Sequence, residues 1–177
     1  MILKAKGWFT MIWIKSALFG GTIVTVRYIF SLVNSDGDQK INKMKEIINF
    51  TEYLRIYSCE LKMSLEEILQ KYNFKSPEIR IMIRAMIDSL RDKKNSEELL
   101  VYMNEIMLTP DPFNRFFAEI IDYYGCTYSE LLNKKLSFAV REMEKYLEEY
   151  ALKHNEKKTL NNRVSFLAGC LAAIIFV

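Results

Sequence analysis

The sequence predicts an all-α protein: an antiparallel bundle of about six helices, flanked by N- and C-terminal transmembrane helices, the last helix running continuously into the membrane. Three observations predict this. Apolar residues recur at steps of three and four along most of the chain, as a helix with one buried face requires. No stretch of useful length alternates apolar and polar residues as a half-buried strand would. The charges are unevenly placed: all 22 acidic residues lie between Asp36 and Glu156, the segment 1–33 carries only Lys4, Lys6, Lys15 and Arg27, and no charged side chain follows Arg163. The formal charge of +3 therefore comes from the N-terminal segment. That is not the broad basic surface of a nucleic-acid-binding protein. It divides the chain into a membrane-spanning segment (1–33), a linker (34–39), a helical bundle (40–160) and a second transmembrane segment (161–177).

The first segment holds twenty residues, Gly7 to Val26, with a single charge, Lys15. The apolar stretch is long and no small-residue cleavage pattern precedes Asn34, which favours a retained transmembrane helix over a signal peptide. A lysine at mid-membrane costs about 2.5–3.5 kcal/mol. Translation from Met11 would move Lys15 to the interface and set the span at Ser16 to Val33. Asn34 to Gln39 is polar and contains Gly37, so it reads as a solvated linker. It lacks the repeated acids and closing glutamate of a calcium loop.

Helical spacing resumes at Met44, Ile47, Phe50, Leu54, Tyr57 and Leu61. Ser64 to Glu67 forms a capping box for a short helix ending near Asn73. Ser76 and Pro77 open the next helix, with Ile79, Met82, Ile83, Met86, Ile87 and Leu90 on its apolar face. Asn95 caps Ser96–Met107. Asp111 and Pro112 begin a helix with Phe113, Phe116, Phe117, Ile120, Ile121 and Tyr124 facing inward, and Gly125 is its C′ residue. Thr127 to Glu130 forms a second capping box. From it one long helix runs to Val177, roughly 75 Å at ~1.5 Å per residue. Its stripe of Leu132, Leu136, Ala139, Met143, Tyr146 and Tyr150 suits pairing with the Met44–Leu61 stripe. Extended in the same heptad register, that stripe reaches Lys153 and Lys157, then Leu160, Val164, Leu167, Leu171 and Ile174. Nine methionines, several on these faces, suit an adaptable core or groove.

Catalytic motifs are missing. His154 is the one histidine and reads as a solvated surface residue without ligand partners. There is no phosphate-binding glycine loop. Cys59, Cys126 and Cys170 are widely spaced and odd in number, so they read as reduced thiols. Adjacent acids such as Glu66 and Glu67, or Glu148 and Glu149, point about 100° apart on a helix. No catalytic, cofactor-binding or metal residue is assigned, and the expectation is a non-enzymatic interaction protein. Small residues at four-residue intervals are the candidate contact sites: Ala17, Gly21 and Thr25 in the first span, Ser165, Gly169 and Ala173 in the second. They would let the spans pair with each other or with another copy in a homo-oligomer. Lys153, Lys157, Lys158 and Arg163 precede the second span and nothing basic follows it, which places the bundle in the cytoplasm. Lys4 and Lys6 oppose that orientation unless the chain begins at Met11.

This layout resembles the stage III sporulation protein AB family of endospore-forming Firmicutes. That family is similar to a single-domain relative of the F component, the inner-membrane platform protein of type II secretion and type IV pilus machines. The resemblance covers most of the chain from Met11 on. It rests on Leu18-Phe19-Gly20-Gly21 in the first span, Leu65-Glu66-Glu67 early in the bundle, Tyr124-Gly125 before the last helix, and Phe166-Leu167-Ala168-Gly169-Cys170-Leu171 near the end. Ser64 stands where the family has proline, and Val164-Ser165 where it has Leu-Gly. The resemblance implies a two-span protein of the mother-cell membrane with a cytoplasmic bundle of the secretion-platform F type. It implies a part in a secretion-like channel complex between mother cell and forespore, needed for endospore development. Its implied partners are a cytoplasmic secretion-type ATPase, other small sporulation membrane proteins, and membrane lipid. A generic membrane-anchored helical adaptor in signalling or cell division is the alternative.

Overall fold

Only helices and turns occur among the described residues of the computed structural model, which covers residues 2–92, 95–124 and 129–176, with side chains described within 13–175. The elements are α1 (Ile2–Arg55), a π-helical segment (Ile56–Glu60), α2 (Leu65–Lys71), α3 (Pro77–Arg91), α4 (Ser96–Met107), α5 (Asp111–Ala118), α6 (Ile120–Tyr123) and α7 (Ser129–Phe176). They divide into two units. Unit 1 is Met1–Asp38 with Leu152–Val177, and unit 2 is Gln39–Ala151.

Local chemistry sets most boundaries within unit 2. Ser64 Oγ accepts from the Glu67 amide (3.3 Å), while Glu67 Oε2 accepts from the Ser64 amide (3.0 Å), so the expected capping box starts α2. Asn95 Oδ1 accepts from the Glu98 amide (3.0 Å) and starts α4. The Thr127 box and the Gly125 C′ residue lie outside the described residues. Two expectations are corrected. Ser76 does not cap α3 through its hydroxyl, which donates to Glu46 instead (2.7 Å). The expected single helix over 111–124 is two, α5 and α6, separated at Glu119. Between α4 and α5, Asn114 Nδ2 donates to Asn104 Oδ1 (2.7 Å), and Asn104 Nδ2 to Asp111 Oδ1 (2.7 Å). These bonds satisfy polar groups where the chain reverses.

The core of unit 2 is built from every helix that the periodicity identifies. Met44, Ile47, Phe50 and Leu54 of α1 are buried with Ile79, Met82, Ile83 and Met86 of α3, Leu99, Met103 and Met107 of α4, Phe113 and Phe117 of α5, and Leu132, Leu136, Ala139 and Met143 of α7. Each large side chain contributes about 1.5–3 kcal/mol on burial. Met44, Met82, Met86, Met103, Met107 and Met143 are wholly buried, so these thioethers fill the core and line no groove. Phe50, Tyr53, Tyr57, Tyr72 and Phe74 form a ring cluster; Tyr53 and Tyr57 stack at 4.0 Å, and Tyr72 meets Phe50 edge-on at 5.2 Å. Arg55 joins α1 to α7: it holds Glu52 through Nε (2.9 Å) and Nη2 (2.6 Å), and Asn133 Oδ1 through Nη1 (2.8 Å).

Among the described residues, one carboxyl group lies inside this core. Glu46 is buried, and its Oε1 accepts from the Lys75 amide (2.6 Å) and the Ser76 amide (3.2 Å). With the Ser76 hydroxyl on Oε2, α1 supplies the acceptor for the start of α3, where the helix dipole favours a negative charge. Glu46→Ala leaves two amide donors without an acceptor. It is expected to lower the stability of the chain by about 2–4 kcal/mol in denaturant unfolding. Glu67→Ala, which touches an exposed cap, is expected to cost no more than about 1 kcal/mol in the same assay.

Candidate membrane-facing helix pair

Unit 1 pairs the N-terminal part of α1 with the C-terminal part of α7. The partners run antiparallel: Ile23 lies against Gly169, Asn34 bonds Asn161 and Asn162, and Asp38 bonds His154 and Lys158. On α7 the buried face is small. Ser165, Gly169 and Ala173 are buried, with Ala168 and Ala172 half-buried. On α1 the half-buried residues are Thr22, Ile23, Val26 and Phe30. The large apolar side chains point outward. Trp13, Ile14, Leu18, Val24, Ile29, Leu32 and Val33 are exposed on α1, and Phe166, Leu167, Leu171, Ile174 and Ile175 on α7. This inverts the arrangement of a helix pair in water.

A Cβ at Gly169 would stand 3.2 Å from the Ile23 Cα, so glycine permits an approach of backbone to backbone. Of the candidate contact residues, Ser165, Gly169 and Ala173 thus share the buried face. Ala17, Gly21 and Thr25 lie exposed, and nothing stands within 4 Å of a Cβ at Gly21. The heptad register carried past Lys157 points to the wrong face: Leu160, Val164, Leu167, Leu171 and Ile174 are all exposed. Several hydroxyls in the pair are satisfied by their own helix. Thr22 donates to the Leu18 carbonyl, Thr25 to Gly21, and Ser165 to Asn162, each at 2.9 Å. Such bonds need no water.

One end of the pair is polar. Asn161 Nδ2 donates to Asn34 Oδ1 (2.9 Å), and Asn34 Nδ2 reaches Asn162 Oδ1 (3.4 Å). One turn further along α1, Asp38 Oδ2 accepts from Lys158 Nζ (2.7 Å) and Oδ1 from His154 Nε2 (3.0 Å). The Lys158 bond holds the Asp38 carboxyl below its ordinary pKa. Partial burial opposes it, and the His154 bond and both neighbouring charges add to it. A Cβ at Gly37 would collide with the His154 ring, so glycine here makes room for the imidazole. Two expectations change. Residues 34–39 are not a linker but part of α1, with Asn34 and Gly37 buried. His154 is not a solvated residue: its side chain is only 10% exposed. The i, i+4 spacing of Asn34 with Asp38, and of His154 with Lys158, is the sequence signal for this layer.

One helix among the described residues is long and apolar enough to cross a membrane. It covers Trp13–Glu60, and none of its most apolar stretch is buried. The described residues include no group of three or more His, Cys, Asp or Glu that could hold a metal ion. Cys59 and Cys170 are free thiols, and burial pushes the Cys59 pKa up. No protein-family model matches the chain, and comparison with curated proteins and with solved structures finds no match.

Two outcomes follow from the polar layer. Ala exceeds Gly in helix propensity by about 1 kcal/mol. In a His154→Ala background, Gly37→Ala should therefore stabilise the pair by up to that amount. With His154 present, the same change should give no gain, because the methyl displaces the ring from Asp38. A double-mutant cycle in detergent-solubilised protein measures the coupling, expected at roughly 1 kcal/mol. The second outcome concerns pH. A depressed carboxyl pKa stabilises above the unfolded value of about 3.9 and loses that contribution as pH falls through the folded value. Asp38 is 44% exposed, so screening keeps the contribution below about 1 kcal/mol. Amide exchange over 30–38 and 154–162 should show wild type and Asp38→Asn diverging at pH 5 and converging below pH 3.

Proposed function

We propose that the chain is a membrane-anchored, non-enzymatic platform subunit. In this reading unit 1 is a two-span anchor and unit 2 is a cytoplasmic body on which other proteins assemble. The observation that carries it is the inversion in unit 1: most large apolar side chains lie outside, and the buried face of α7 is made of small residues. A lipid-facing pair has that distribution, because lipid tails offer no hydrophobic drive between helices and close packing of small residues replaces it. The exposed apolar surface would be an aggregation hazard in water. Lys153, Lys157 and Arg163 precede the terminal apolar stretch and support the cytoplasmic side for the bundle.

The resemblance to the stage III sporulation protein AB family carries the finer part. Unit 2 would serve a secretion-like channel between mother cell and forespore, engaging a cytoplasmic ATPase and other small sporulation membrane proteins. Two measurements test the two levels. Carbonate washing of native membranes should leave the full-length chain in the pellet; release into the wash would sink the anchor. Affinity capture of tagged protein from sporulating cells, followed by mass spectrometry, should recover an ATPase and small membrane proteins. A well-expressed, correctly inserted bait recovered without them would replace the platform with a membrane-anchored adaptor.

A further inference from the structure

Arg27 of α1 and Arg163 of α7 line one open groove of about 400 Å³, together with Thr159, Asn162 and Phe166. Two guanidinium groups thus border one space with no carboxylate on its walls. Neither arginine has an ion pair or a side-chain hydrogen bond with the described residues. The adjoining groove, which shares Arg163 and Thr159, differs in containing Glu156. Charge complementarity therefore calls for an anion in the groove of Arg27. Arginine presents its donors in a planar fork that matches phosphate oxygens, and the Asn162 side-chain NH2 adds a neutral donor, while the Thr159 hydroxyl is spent on the Asn155 carbonyl (2.9 Å).

The surroundings select the kind of anion. Phe166 on the groove wall, with Tyr28 and Ile29 next to Arg27 in sequence, is exposed and apolar or aromatic. Asn34, Asn161 and Asn162 form the polar layer nearby on the same two helices. The two cations therefore sit where apolar exterior gives way to polar side chains. Long basic side chains reach lipid headgroups at such a boundary. We propose that Arg27 and Arg163 form a site for the phosphate of an anionic phospholipid, with the acyl chains lying along the outward apolar side chains of unit 1. The site rests on the membrane reading above. It adds to it a lipid preference, and a reason for charged residues from two different helices to border one groove.

The test uses the full-length chain in detergent micelles and on vesicles. Retention of short-chain phosphatidylglycerol and phosphatidylcholine is compared by native mass spectrometry. Wild type should prefer phosphatidylglycerol by roughly tenfold or more, as two basic residues at a membrane surface supply. The Arg27→Gln/Arg163→Gln pair should lose the preference, and Arg27→Lys/Arg163→Lys should keep part of it, which guards against a loss caused by misfolding. Equal retention of both lipids by wild type, or a preference that survives the glutamine pair, overturns the site. Displacement of phosphatidylglycerol by an equal concentration of inorganic phosphate overturns the lipid source and leaves a free-phosphate site. Flotation separates this proposal from its premise. A chain that floats on both vesicle types without preference fails the headgroup site alone; a chain that floats on neither fails the membrane reading and the site together.

Discussion

The backbone approach at Gly169 is the constraint from which the rest of unit 1 follows. When the Cα of Ile23 lies 3.2 Å from where a Cβ would stand, the facing surface of α7 must be built of residues no larger than serine or alanine. Ser165 and Ala173 meet that demand one turn to either side. Large side chains are then excluded from the α7 side of the interface, and most of them lie outside. What holds the pair is consequently dispersion between close backbones and a few buried polar bonds, not removal of oily surface from water. Unit 2 obeys the opposite rule. There the large side chains turn inward, methionines fill the spaces between rings, and the buried Glu46 carboxyl is tied to the start of a neighbouring helix.

The two rules explain what was legible in the sequence. Within unit 2, three- and four-residue spacing located the faces of α1, α3, α4 and α5. Leu132, Leu136, Ala139 and Met143 reached the core as their pattern required. Caps with a complete donor and acceptor set, at Ser64 and Asn95, were readable for the same reason. Ser76 was not, because its partner Glu46 lies thirty residues away in sequence. The split at Glu119 has no breaker residue to announce it.

Unit 1 was harder for a specific geometric reason. An α-helix advances 3.6 residues per turn, so a strict seven-residue stripe drifts by about 20° per heptad. From Leu136 to Val164 that amounts to roughly 80°, enough to move the extrapolated stripe from the inside to the outside. The buried positions recur at an eleven-residue step instead, a line that turns by about 20° per eleven residues rather than per seven: of Leu132, Met143, His154 and Ser165 three are buried, with His154 nearly so. A search for apolar residues alone cannot see that line, since it changes from leucine to histidine to serine. The same bias turned 34–39 into a linker. Asn, Ser, Asp and Gly are turn formers in water, yet here Asn34 and Asp38 have partners on α7 that make the helical conformation the satisfied one.

The aromatic residues are divided between the units in a way that lends each its own optical signature. Both tryptophans, Trp8 and Trp13, precede Asp38, whereas Tyr28 is the only one of ten tyrosines that does so. The packed rings of Tyr53, Tyr57 and Tyr72 sit in unit 2 in fixed, asymmetric surroundings. In a Trp8→Phe background, emission from Trp13, which is exposed on α1, therefore reads the polarity around the apolar helix pair, while tyrosine near-ultraviolet dichroism reads the order of the bundle. A single sample carries both channels without any added label, and events in one unit can be timed against events in the other.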